Sequence, residues 1–334
     1  MKVAVVYVAA VTGALREVES EINVAAAGAV AQALERGGHR AWLVPVADAG
    51  DLERGLAGGR FGAAFNLCES LAGDPAREIE AARRTAALVP RVTGCPPDVL
   101  ALTLDKPAVK SRLAALGVPT PAGVTIEAGA SMVVALAAVR DLPHPVVVKP
   151  AREDGSIGVA TAGFAETPEE SALAALALCE RLGGGVLVER YLPGRELHVF
   201  AAGGAGVPEI FLFSEIVYDR AAGDPCLYTY EAKWKEGAPE WWGTDIVHAP
   251  AIEPALASGL RQLATKAWSA LGLSGYARLD TRLDQAGVPH VLEVNSNPDL
   301  SPSEGIAEAF EHAGFRFDDF VARQLDWAWS APRA

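Results

Sequence analysis

Cysteine is scarce in this chain of 334 residues: Cys68, Cys95, Cys179 and Cys226 stand far apart, with neither a disulfide framework nor the paired spacing of a zinc site. They are expected to be reduced, structural thiols. Long apolar runs are also missing. Every Ala/Val-rich stretch is broken by a charge, Gly or Pro well short of the roughly 20 residues needed to cross a bilayer. Met1 to Ala10 leads directly into patterned sequence without a signal-peptide cleavage region. A cytoplasmic protein with no membrane partner is therefore expected. Positive charge is short as well. The formal net charge is −13, which argues against a nucleic-acid surface, since that needs a basic stripe to replace counterions; a nucleotide needs only a few local cations. Lysine in particular is rare, with seven in all: Lys2, Lys106, Lys110, Lys149, Lys233, Lys235 and Lys266. Ammonium and guanidinium differ in geometry, so each lysine in an Arg-rich chain merits attention.

What is present is ample apolar material, half of all residues, in a length that exceeds one core and points to two or three packed domains. Residues 2–8 form a β-branched run of the kind that makes a buried parallel strand. A helix from about Glu19 to Arg36 ends at Gly37-Gly38, and strands at Ala41 to Val46 and Phe61 to Leu67 continue an open α/β unit. The Gly/Pro-rich stretch Thr93 to Pro97 breaks the pattern. A helix is expected from Asp98 to Leu116. From Pro145, strand, Gly-rich loop, strand, helix and strand follow one another to Glu189. Later come strands at Glu196 to Ala201 and Glu209 to Val217, a helix at about Pro254 to Leu271, a hairpin and a helical tail. The expected class is α/β and α+β, with an N-terminal α/β domain at 1–95, a central domain at 96–188 and a C-terminal domain at 189–334.

The sharpest local feature is the pair of runs Tyr276-Ala-Arg278-Leu-Asp280 and Val291-Leu-Glu293-Val-Asn295, joined through Asp284-Gln-Ala-Gly287. Alternation puts Arg278 and Asp280 on one face and Glu293 and Asn295 on one face. Pairing Leu283 with Val288 sets Arg278 opposite Glu293 and sends Leu279, Leu292 and Val294 into the core. Two carboxylates and an amide oxygen on a rigid sheet suit Mg²⁺ with bound phosphates; an ordinary salt-bridged surface hairpin carries the same pattern. Pro145-Val-Val-Val-Lys149-Pro150 is a buried strand ending on a lysine, followed by the Gly/Ser loop Asp154-Gly155-Ser156-Ile157-Gly158, whose backbone N–H groups can turn toward phosphate. Val186 to Glu189, then Tyr191-Leu192-Pro193-Gly194-Arg195-Glu196, offers a strand end, a turn and a second acid, suited to an adenine and a ribose or to a solvated interdomain turn.

Taken in this order, with Asp105-Lys106 before them, these segments resemble the ATP-grasp fold and specifically the D-alanine–D-alanine ligase family, over nearly the whole chain. The resemblance implies an ATP-dependent carboxylate–amine ligase using ATP and Mg²⁺, acting on small-molecule substrates as a homodimer. It implies phosphate contacts for Lys106 and Lys149, adenine contacts for Glu189 and Leu192, and a ribose contact for Glu196. Tyr230-Glu-Ala-Lys233 resembles the family's closing loop, which implies that Lys233 reaches the γ-phosphate. Asp280, Glu293 and Asn295 match its magnesium ligands, Arg278 its transition-state arginine, and Ser156 a member of its catalytic network. Glu19 matches an acid that holds the first substrate's ammonium group, though an N-cap acid on a surface helix has the same appearance.

The resemblance fails at the acceptor end. Asn295-Ser-Asn-Pro298 is followed by Asp299 where the family has Gly, and Glu304-Gly305 replaces a Ser-Leu pair that binds a carboxylate. An acid there would repel a substrate carboxylate by about 1 to 4 kcal/mol, depending on exposure. Trp234 replaces the usual Tyr or Phe and can only donate a hydrogen bond. Trp241-Trp242 is suited either to lining a bulkier pocket or to packing in the core. An amino-acid or peptide ligase whose second substrate is not D-alanine is expected, with a cell-wall D-alanine–D-alanine ligase and a non-catalytic nucleotide-binding protein as the alternatives.

Overall fold

The structure is a computed structural model, which describes residues 1–9, 14–72, 74, 77–153, 156, 158–221, 224–300, 310 and 312–330, with the backbone alone for 14–21. Among these residues three sheets are organised along the chain.

The N-terminal sheet is parallel, in the order β2-β1-β3, built from β1 (Lys2–Val8), β2 (Arg40–Val46) and β3 (Ala63–Leu67) with α1 (Ala14–Arg36), α2 (Ala49–Ala57) and α3 (Glu78–Leu88). Central strand β1 is buried on both faces at Val3 through Val8, as its unbroken apolar run requires. Helix α1 begins earlier than the sequence suggests, at Ala14.

The expected single helix from Asp98 to Leu116 is two, α4 (Pro97–Thr103) and α5 (Lys106–Ala115). Asp105 is the cause of the break. Its carboxylate accepts from the Ala108 N–H at 2.9 Å, and Pro107 in the first turn lacks the N–H that a continuous helix would use. Lys106 thereby becomes the first residue of a new helix.

A four-stranded antiparallel sheet follows, β4-β7-β5-β6 in order, from β4 (Gly123–Ile126), β5 (Val146–Pro150), β6 (Phe164–Ala165) and β7 (Val186–Arg190), backed by α6 (Met132–Val139) and α7 (Pro168–Leu182). Helix α7 opens on a full capping box between Thr167 and Glu170 and closes on Gly183 at φ +70°.

The third sheet is antiparallel, in the order β10-β9-β8-β11-β12: β8 (Glu196–Gly203), β9 (Pro208–Tyr218), β10 (Thr244–His248), β11 (Gly275–Leu283) and β12 (Pro289–Ser296). Short α8 (Tyr230–Trp234) and α9 (Pro239–Trp242) lie between β9 and β10, α10 (Pro254–Leu271) precedes β11, and α11 (Phe317–Ser330) follows β12. One face of this sheet, carrying Leu197, Val199, Ala277, Leu279 and Val294, packs on Trp268 and Leu263 of α10 and on Val109 and Leu113 of α5. The opposite face is divided. At one end Phe200 and Tyr276 join Phe310 and Phe320 in an aromatic cluster with ring centroids 4.8 to 6.3 Å apart; at the other end the face is left for charged residues.

Candidate functional site

The hairpin β11–β12 carries four polar residues on that second face, as alternation predicts, but its register differs from the expected one. Leu283 pairs with Pro289 rather than Val288, and a bulge beside Asp280 leaves Leu292 unmatched, so Arg278 faces Asn295 and Asp280 faces Glu293. The turn sets the first shift: the Asp284 N–H donates to the Val288 carbonyl, while the Asp284 carboxylate accepts from the N–H groups of Ala286 and Val288. The bulge sets the second. Leu292 consequently leaves the core and lines the cleft beside Glu293, whereas Leu279 and Val294 are buried as expected.

Asp280 is the hub. Arg278 grips it with two hydrogen bonds of 2.7 and 3.0 Å, Asn295 donates to it at 3.1 Å, and His198, directly opposite on β8, lies 3.7 Å away. Burial alone would raise the carboxyl's pKa, but Arg278 and His198 hold it down to about 2. Burial pushes the His198 imidazole down to about 4, so the ring is neutral near pH 7. Two residues further along β11, Arg282 pairs with Glu196 at 3.1 Å, and the Tyr218 hydroxyl donates to the same carboxylate at 2.7 Å. Burial nevertheless raises Glu196 above the usual carboxylate range.

Across a cleft open to solvent stands the four-stranded sheet. Val147 pairs with Glu189 in the β5–β7 ladder, which puts Val147, Lys149 and Glu189 on the face that lines the cleft. Glu189 is buried and ion-paired with two lysines, Lys149 on Oε1 and Lys110 on Oε2, the latter at 2.5 Å. Burial opposes its charge, yet the two ammonium groups hold it below the ordinary range. Lys106, at the start of α5, meets Glu293 at 2.9 Å and donates to the Glu153 carbonyl. Helix α5 thus links the two walls, with Lys106 on the hairpin and Lys110 on β7.

The segment before α8 is tied to the Gly/Ser loop. Ser156, at φ +62°, donates from Oγ to the Tyr228 carbonyl at 3.0 Å, and the Tyr230 N–H donates to the Val159 carbonyl at 3.0 Å. Buried Thr229 caps α8 by accepting from the Ala232 N–H. At the end of α8 the Lys233 ammonium sits 4.8 Å from the Trp234 ring centroid.

The structure therefore brings Lys106, Lys149, Ser156, Glu189, Leu192, Glu196, Asp280 and Glu293 to one cleft, with Arg278 and Asn295 bonded to Asp280 at its edge. Asp299 lies elsewhere. It lines a small second pocket with Asn23, Glu69, Glu78 and Asn297, at the end of the hairpin face against the N-terminal sheet. The Tyr276 hydroxyl and Asn297 Nδ2, both at that pocket, are buried and have no hydrogen-bond partner among the described residues. Trp241 and Trp242 line neither cavity, and Trp242 is 74% exposed. Glu19 falls on α1 with its side chain outside the described residues, as is all of Glu304.

Sequence reasoning passed over Lys110, Arg282 and His198. Two of them had a signal: Lys110 is one helical turn beyond Lys106, and Arg282 continues the alternation of Arg278 and Asp280. His198 had none, since only the β8–β11 register brings it to Asp280.

The fold is shared with solved structures. The D-alanine–D-alanine ligase of Bacillus anthracis, crystallised with ATP, superposes with a TM-score of 0.75 at 18% identity, over 98% of this chain and 97% of that one. Two antiparallel sheets facing each other across a cleft lined by lysines and carboxylates, in a chain with this superposition, are the ATP-grasp fold of ATP-dependent ligases. The family model for the D-ala D-ala ligase C-terminus matches residues 113–326. A D-alanine–D-alanine ligase of Xanthomonas axonopodis pv. citri is 30% identical over 311 residues, 92% of this chain and 90% of its own length. An uncharacterized protein of Sinorhizobium fredii is 32% identical over 268 residues, 80% of this chain and 74% of its own. The chain belongs to the D-alanine–D-alanine ligase family. No helix among the described residues is long and apolar enough to cross a membrane.

Proposed function

We propose that this family member is an ADP-forming ligase that joins two amino-acid or peptide substrates through an acyl phosphate, and that its second substrate is not D-alanine. The observation that carries the ligase half is the convergence of Lys149, Asp280 and Glu293 from two opposed sheets, and of Lys106 from the start of α5, on one cleft. In this reading Lys106 and Lys149 hold nucleotide phosphates, Glu189 and Leu192 the adenine, and Glu196 the ribose, with Lys233 meeting the γ-phosphate from the α8 segment. Among the described residues no three His, Cys, Asp or Glu side chains form a self-contained metal cage. The hairpin offers two carboxylates and one amide oxygen, a set that fits Mg²⁺, which takes one or two carboxylates and completes its shell with phosphate and water. When bound there, Mg²⁺ supplies charge neutralisation of the transferring phosphoryl group.

In the first step a substrate carboxylate oxygen attacks the γ-phosphorus and the bond to ADP breaks. In the second the amine nitrogen attacks the acyl carbon, phosphate leaves, and the amine gives up a proton. Arg278, locked in plane by its two bonds to Asp280, presents fixed positive charge beside Asn295, where both steps develop negative charge. The bonds from Ser156 to Tyr228 and from Tyr230 to Val159 join two segments that in this reading cover the hydrolysable intermediate and exclude water from it.

Altered specificity is supported by the second cavity. Its described lining includes Glu69, Glu78 and Asp299 and no Lys, Arg or His. Burial raises the pKa of the Tyr276 hydroxyl well above the ordinary value, with Glu69, Cys95, Asp299 and Glu78 adding to the rise. In this reading a short zwitterion would bring its carboxylate toward these acids, whereas a substrate ending in a positive or neutral polar group would not. A mass-spectrometric screen of ATP-dependent condensation over a panel of amino acids tests this reading. Products from D-alanine paired with a basic or polar amine are expected. D-alanyl-D-alanine formed from D-alanine alone at a rate matching the best pair would overturn the specificity claim. ATP binding without ADP release for any pair would point to a non-catalytic nucleotide-binding protein.

A further inference from the structure

Lys110 is as buried as the residues of the cleft but does not line it. It stands behind Glu189, 8% exposed, with its ammonium 2.5 Å from Glu189 Oε2 and 3.0 Å from Thr120 Oγ1. Thr120 in turn donates to the Val291 carbonyl of β12 at 2.9 Å, which fixes Lys110 between the two sheets. Lys149, on the cleft side, takes the other oxygen of the same carboxylate. One negative charge is therefore sandwiched between two positive ones. Were Glu189 balanced by Lys149 alone, that pair would be neutral and a phosphate would have to compete with Glu189 for the Lys149 ammonium. With Lys110 in place the group carries a net positive charge, and its cleft-facing member is Lys149.

We propose that Lys110 is a positioning residue that neutralises Glu189 from behind, leaving the charge of Lys149 available to a nucleotide phosphate. Burial pushes the Lys110 ammonium down to about 8, with Glu189 opposing and Lys149 adding to the fall, so the group still carries its charge near pH 7. Thr120 supplies a hydrogen bond without charge, and the compensation for burying this cation comes from Glu189. The proposal rests on the nucleotide reading of the cleft.

The test is a double-mutant cycle on the full chain with Lys110→Met, Glu189→Gln and the pair together, measuring ATP affinity by calorimetric titration and KM against kcat by ADP release. Lys110→Met is expected to weaken ATP binding roughly tenfold or more, with kcat changed far less, because the lost charge acts on phosphate affinity through Lys149. The double variant is expected to bind ATP no more weakly than Glu189→Gln alone, since with the acid gone there is nothing left to neutralise. Lys110→Gln keeps a hydrogen-bond donor at Thr120 without the charge and carries the same expectation, should the methionine variant fail to fold. Unchanged ATP affinity in either single Lys110 variant would overturn the proposal, as would a double variant whose loss is the product of the two single losses. A wild-type chain that fails to bind ATP would sink the nucleotide reading and the proposal with it, whereas wild-type binding with an indifferent Lys110 would sink the proposal alone.

Discussion

At the scale of single residues, the hairpin face owes its order to mutual neutralisation. Asp280 receives Arg278, Asn295 and the edge of His198, and Glu293 receives Lys106, so each acid is matched before any ligand arrives. Arg278→Ala separates two roles. If the guanidinium acts on charge that develops during the reaction, turnover should fall by about 10²- to 10³-fold, the range for loss of one fixed transition-state donor. ATP affinity should change little, because Lys106 and Lys149 are untouched. Steady-state kinetics beside direct ATP titration reads both, and a parallel loss in the two would show that Arg278 serves binding alone. These residues were legible in the sequence because a strand has a period of two, and Arg278, Asp280, Glu293 and Asn295 keep it in each strand. Their partners across the ladder were not. Leu292 looks like any core leucine, and nothing in its neighbours announces that it will be the unmatched residue of a bulge. Glu189 and Lys110 belong to different elements, and only the packed fold makes them an ion pair.

At the scale of elements, local capping chemistry decides where charged side chains point. Asp105 divides what reads as one helix and starts α5 with Lys106 aimed at β12 and Lys110 at β7. The apolar spacing from Asp98 onward, with Val99, Leu100, Val109 and Leu113 all buried, is compatible with one helix or two, and the cap, not the periodicity, discriminates between them. Helix α10 was legible as Pro254 to Leu271 because apolar spacing runs uninterrupted from Pro254, its first residue, to Gly272, which adopts φ +72° and ends it. Helix α7 offers a clean measurement of such a device. Its Thr167 hydroxyl accepts from the Glu170 N–H at 3.2 Å, and the Glu170 carboxylate accepts from the Thr167 N–H at 3.3 Å. Thr167→Ala should lower unfolding free energy by about 1 kcal/mol, read as a lower urea midpoint at unchanged slope. ATP affinity should stay at its wild-type value, because α7 packs on the outer face of the sheet whose inner face carries Lys149 and Glu189. A loss of ATP affinity at constant stability would mean that α7 positions the cleft more directly than its packing implies.

At the scale of the whole molecule, the N-terminal sheet is joined to the hairpin by backbone set against backbone. Gly94 and Gly275 are in left-handed conformations, at φ +87° and +74°, and a Cβ added to Gly275 would lie 2.4 Å from the Gly94 Cα. Hydrogen bonds close the same seam: the Cys95 N–H donates to Asn297 Oδ1 at 2.7 Å, and the Ser274 hydroxyl to the Gly94 carbonyl at 3.3 Å. The second cavity lies along this seam, with Tyr276 and Asn297 on the hairpin side and Asn66 and Glu69 on the N-terminal side. A side chain at 275 has two costs, about 1 kcal/mol for a non-glycine residue in the left-handed region and about 1 to 3 kcal/mol for forcing packed groups apart. Gly275→Ala should therefore destabilise the chain by about 2 to 4 kcal/mol, measured by urea unfolding. The effect on substrates should be asymmetric. In the proposed reading the amino-acid substrates are met at the seam and the nucleotide cleft is formed by the two later sheets, so KM for the amino acids should rise more than KM for ATP. Equal rises would place the seam's influence on the hairpin as a whole, and an unchanged unfolding midpoint would show that the two glycine backbones separate without cost.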